Sequence, residues 1–181
     1  MTRFRSLVRL VLRRIGQVEM VVAAMILMGI VAMIVAQVLL NAGLGNPITW
    51  ELEAGAYGLV WLTFLGASIG LKYMRHVTIA SFVGKLPIRL GSAVRAVTFA
   101  LMLWTLYVLI RELSPIMEIE ARSMTVALPI ELPRSYFFSV PLMISCALMV
   151  PTLLLYLLEA LLGVFGAKQD DLLKPIMGSR P

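Results

Sequence analysis

Glu51 and Glu53 at the head of an apolar run, Glu159 within "YLLEALL" and His76 are the side chains here that could do ion or proton chemistry. An ionisable group in a hydrocarbon layer is costly and normally functional, so a carboxylate there would suit proton or cation coupling. The spacing restricts each of them. Glu51 and Glu53 are two residues apart, project in different directions on a helix and do not make a paired-carboxylate site on one face. His76 is the sole histidine, whereas a bis-histidine haem needs two and a zinc motif cannot be built from one. Cys146 is the sole cysteine, which leaves no intrachain disulfide and no cysteine metal site. With no G-x-S-x-G nucleophile motif either, nothing points to an enzyme, a catalytic residue or a cofactor. Glu159 keeps two readings, an ion-coupling acid or a carboxylate near a membrane interface paired with a basic flank.

The elements that must position these residues follow from composition. The chain has 181 residues, 60% of them hydrophobic and 14% charged, with a mean hydropathy of +0.93. That is the usage of an integral membrane protein, and the length covers about four spans with short connections. The expectation is one all-α membrane domain, four transmembrane helices plus amphipathic interfacial helices. Spans are predicted at 20–40, 49–71, 93–110 and 136–165. Met20 to Leu40 is longer than the roughly 7–15 residues of a signal-peptide core and is expected to be retained.

Residues 1–18 are predicted to form a separate interfacial helix. Phe4, Leu7, Val8, Val11, Ile15 and Val18 recur at helical spacing, and Arg5, Arg9 and Arg13 follow at i+4 on the other side, toward lipid headgroups. In the second span Thr49 is the expected N-cap, and Glu51 and Glu53 fall in the first turn, where carboxylates complement the helix dipole. Residues 72–92 are expected to lie along the membrane surface, 111–135 to form the longest polar loop, and 166–181 a tail. The last span is long and carries Pro141 and Pro151, which predicts a kinked or tilted helix.

The net charge of +6 raises the possibility of nucleic acid binding, but the basic residues flank apolar runs and no recognition module is present. They read as a topology signal. Arg3, Arg5, Arg9, Arg13 and Arg14, then Lys72, Arg75, Lys85, Arg89 and Arg95, then Lys168, Lys174 and Arg180 fall on one side, against Arg111, Arg122 and Arg134 on the other. The positive side is expected to be cytoplasmic, with both termini inside and residues 111–135 periplasmic. Within the second span Gly66 and Gly70 form G-x-x-x-G, and Ala54 with Gly58 gives a second small pair, a pattern for close helix approach. The spans lack the paired broken helices that mark many transporter binding sites, so the chain reads as a membrane scaffold for lipid and partner subunits.

The stretch "TWELEAGAYGLVWLTFLGASIGLKYMRHVTI" resembles the small membrane subunit of TRAP transporters, the DctQ-type family. The resemblance rests on Trp50, Glu53, Tyr57, "VWL" at 60–62, "FLGA" at 64–67 and His76, with softer support from Leu86, Pro87, Pro133, Tyr136 and Pro141. The chain departs from the family pattern at Leu52, between the acids, and at Ala56, before the tyrosine. The resemblance implies the small scaffold subunit of a tripartite secondary transporter in the bacterial inner membrane. In such a system a periplasmic binding protein delivers an organic acid, and a large permease subunit holds the substrate and sodium sites. It makes Trp50, Glu51, Glu53, Tyr57, Gly58, Trp61, Gly66, Gly70 and His76 candidate subunit contacts. Glu118, Glu120, Arg122, Glu131 and Arg134 become candidate periplasmic contacts. Two other readings remain open: an autonomous small multidrug-type exporter coupled to protons through Glu51, Glu53 or Glu159, and a membrane anchor of a respiratory complex.

Overall fold

The computed structural model describes residues 2–44, 49–73, 88–164 and 176–177. Four long helices carry the chain: α1 (Thr2–Leu44), α2 (Glu51–Lys72), α3 (Ile88–Ala121) and α4 (Ser139–Val164), with a 3-10 turn at Arg134–Tyr136 before the last. All four are long and apolar enough to cross a membrane. Among the described residues there is no strand, only an isolated bridge between Met124 and Pro133. The fold is all-α, as expected of a chain in which each backbone polar group must find its partner away from water.

Several boundaries differ from the sequence expectation, and α3 already begins at Ile88, inside the connection expected over 72–92. The interfacial helix over 1–18 is not a separate element, because α1 runs unbroken for 43 residues, about 64 Å at the helical rise and twice the hydrocarbon thickness. Nothing in "GQVEM" breaks a helix. The polar loop begins later than residue 111, since α3 continues to Ala121 through Pro115. Charges end a hydrophobic span without ending a helix, and Glu112, Leu113, Met117, Glu118 and Glu120 are good helix formers. Thr49 is not the cap: Ala54 N–H donates to the Trp50 carbonyl at 3.0 Å, so Trp50 holds the N-cap position. Pro141 sits in the first turn of α4, where a missing N–H costs little. Threonine hydroxyls inside the helices donate back to carbonyls one turn earlier, as from Thr63 to Leu59, Thr98 to Val94 and Thr105 to Leu101.

The chain divides into two compact units. One gathers Met1–Gln17, Ser68–Arg111 and the chain from Cys146 onward. Its core includes Leu12, Leu71, Phe99, Leu153 and Tyr156, with the rings of Phe99 and Tyr156 5.6 Å apart. The other gathers Val18–Ala67 and Glu112–Ser145, including the loop before α4.

In the second unit α1 and α2 approach closely at Gly58, where a Cβ would lie 2.8 Å from Ile30 Cδ1. Gly58→Ala displaces only the flexible end of Ile30 and is expected to cost less than about 1 kcal/mol, whereas Gly58→Leu overpacks the contact by about 1–3 kcal/mol. A Cβ at Gly66 meets nothing within 4 Å, so Gly66→Leu is expected to raise the isolated chain's stability by up to about 1 kcal/mol, the helix penalty of glycine. Thermal melting in one detergent separates the three variants.

Candidate functional site

The loop unit is organised by Glu53. The first turn of α2 aims its carboxylate at residues 126–128, where three successive backbone N–H groups turn toward it. Val126 N–H donates to Oε1 at 3.2 Å, and Ala127 and Leu128 N–H donate to Oε2 at 2.6 and 3.1 Å. The Tyr57 hydroxyl, one helical turn on, donates to Oε1 at 2.6 Å. A carboxylate has about four acceptor sites, and here four donors fill them. Tyr57 is buried, its ring stacked on Phe137 at 4.2 Å and edge-on to Phe138 at 5.6 Å. The loop closes on itself through Thr125, whose N–H donates to the Leu132 carbonyl at 3.0 Å and whose hydroxyl donates to the Ile130 carbonyl at 2.8 Å. Beside the loop an open hollow of about 500 Å³ is lined by apolar side chains, among them Val22, Ile26, Trp61, Leu128 and Ile130.

The unit that contains the N-terminus is organised by Glu159, whose side chain is completely buried. Arg9 embraces it in a fork, Nε to Oε1 at 3.0 Å and Nη2 to Oε2 at 2.6 Å, and Arg5 Nη2 adds a bond to Oε1 at 3.0 Å. The bidentate guanidinium geometry is the strong form of this pair. Arg5 and Arg9 therefore do not face headgroups. Arg5, Arg9, Leu12 and Gly16 form the inward stripe of α1, while Leu7, Val11 and Val18 are exposed. This inversion of soluble-protein amphipathicity suits a lipid surround, where apolar side chains gain nothing by turning inward and polar groups seek one another. Of the two readings of Glu159, the geometry supports pairing with a basic flank.

The other candidate residues fall at various depths. Trp50, Glu51, Trp61 and Gly70 are half-exposed and Gly66 is exposed. Glu53, Tyr57 and Gly58 are engaged within their own unit. His76 lies outside the described residues. Of the loop residues, Glu120 accepts the Ser139 hydroxyl, and Arg134 is half-buried with its N–H on the Ser123 carbonyl at 2.8 Å. Glu118, Arg122 and Glu131 are exposed. Sequence reasoning missed the inward turn of Arg5 and Arg9. The available signal was Gly16, which continues their i, i+4, i+7, i+11 stripe and marks it as a contact face.

The family model described as tripartite ATP-independent periplasmic transporters, DctQ component, matches residues 30–163. The chain belongs to the DctQ component family. Among curated proteins none matches it. It is therefore a multi-pass membrane protein and the small component of a TRAP transporter. The matched residues of this DctQ component include Glu53, Tyr57, Gly58 and Glu159, while Arg5, Arg9 and Gly16 precede them.

Proposed function

We propose that this chain is the scaffold subunit of its TRAP transporter: it braces the large permease subunit in the inner membrane during sodium-coupled uptake of an organic acid handed over by a periplasmic binding protein. The observation that carries this reading is that Glu53 and Glu159 are committed to fastening their own chain. Glu53 holds three backbone N–H groups and a tyrosine hydroxyl, and Glu159 holds two guanidinium groups. Coupling to an ion gradient would require such an acid to exchange its partners at every cycle. These bonds also weigh against the proton-coupled exporter.

Both termini lie on the cytoplasmic side in this proposal, in keeping with the positive flanks and with the pairing of Arg5 and Arg9 to the last helix. Contacts with the large subunit fall on residues of α2 and its N-cap that stay partly or fully exposed, at Trp50, Glu51, Trp61, Gly66 and Gly70, with Glu118, Arg122 and Glu131 available on the periplasmic side. Apolar side chains such as Leu52 and Leu59 stand exposed on α2, and almost none of the apolar span of α1 is covered by its own chain. Such faces need lipid or a protein neighbour.

The test is reconstitution. The purified chain alone in proteoliposomes is expected to take up no organic anion under an inward sodium gradient, and uptake is expected once the large subunit and binding protein are supplied. Sodium-driven uptake by the chain alone would sink the scaffold reading.

A further inference from the structure

Ile176 and Met177 are almost fully buried, in a notch made by three helices of one unit: Gly16 of α1, Lys72 of α2 and Tyr156 of α4. Their backbone determines the fit. Ile176 N–H donates to the Lys72 carbonyl at 3.0 Å and shares itself with the Tyr156 hydroxyl at 3.2 Å, and Met177 N–H donates to the same carbonyl at 3.3 Å. Tyr156 in turn donates its hydroxyl to that carbonyl at 3.2 Å.

Lys72 is the last residue of α2, a position whose carbonyl lies beyond the regular intrahelical ladder. A carbonyl left alone in an apolar setting is costly. Two N–H groups from the far end of the sequence thus do for α2 what a local cap normally does. The ammonium of Lys72 is held separately, by the Ser68 hydroxyl at 3.0 Å among other contacts.

The seat for the side chain is made by an absence. A Cβ on Gly16 would lie 2.3 Å from Met177 Sδ and 3.0 Å from Lys72 Cδ, so any side chain at position 16 competes with Met177 for the same space.

We propose that Ile176–Met177 is a C-terminal strap: it docks in the Gly16, Lys72 and Tyr156 notch, caps α2 from a distance and fastens the first turns of α1 to α2 and α4. The strap and Gly16 both lie outside residues 30–163, so the family match does not describe this device. It is independent of the scaffold reading, since a chain of any function could carry it.

The experiment uses the full-length chain with Cys146→Ala and Met177→Cys, so that its one thiol reports on the notch, and measures labelling by a polar maleimide in mild detergent. With Gly16 present, labelling is expected to be slower than in the chain unfolded in SDS by roughly tenfold or more. Gly16→Leu is expected to bring the rate to the unfolded level with helical circular dichroism retained. Tyr156→Phe removes the bridging hydroxyl without adding volume and is expected to raise the rate severalfold. Labelling at the unfolded rate with Gly16 and Tyr156 in place overturns the strap. So does slow labelling that neither substitution changes. Should Gly16→Leu lose helical content, Tyr156→Phe decides alone.

Discussion

Replacing Arg5 and Arg9 together by alanine is expected to destabilise the chain by about 3 kcal/mol or more, and Glu159→Gln by about half as much. The asymmetry follows from exposure. The two arginine side chains are 20% and 23% exposed while that of Glu159 is 0% exposed. Without their partner the guanidinium groups extend along their flexible stems to water at the surface. Glu159, deprived of both arginines, has a short side chain and no such route, and a buried carboxylate that loses these two partners carries much of the penalty of breaking a buried ion pair from one side. Single alanine substitutions should fall between, with Arg9 the more damaging because it makes the two-pronged contact. Thermal unfolding of the four variants in one detergent measures the order. If Glu159→Gln proves worse than the double arginine variant, this assignment of the buried partner is wrong.

Loss of Glu53 should show first as exchange. Glu53→Ala removes the carboxylate that accepts the N–H groups of Val126, Ala127 and Leu128. Because the site is open to water, those amides gain solvent as their new partner, and their hydrogen exchange is expected to accelerate by roughly tenfold to a hundredfold. Glu53→Gln should be intermediate, since the amide oxygen still accepts but its NH₂ group confronts N–H donors. The effect should be confined to the loop and its neighbour Tyr57, with amides in the middle of α4 unchanged. Uniform acceleration across all four helices would mean that Glu53 supports the whole fold.

What the sequence reveals and what it conceals divide by range. Apolar runs specify the four helices, and the first-turn placement of Glu51 and Glu53 follows from local dipole electrostatics. The purpose of Glu53 is not local: its partners are 73 to 75 residues away, and no pattern around "TWELEAG" names a loop at 126–128. The stripe of arginines was visible, but its direction depends on an acid 150 or more residues along the chain. An amphipathic pattern gives two faces without saying which solvent each meets. The G-x-x-x-G at Gly66 illustrates the same gap. It permits close approach, yet within this chain the close approach occurs at Gly58 and Gly66 stays open.

The distance in sequence between Arg5 and Glu159 also sets an order of events in biosynthesis. The arginines are made with the start of α1, whereas their carboxylate arrives only with α4, so two guanidinium groups must wait in water or among headgroups while the helices between are threaded. The clasp closes only after the helices between have been made, so the arginine end of α1 stays without its partner through most of synthesis.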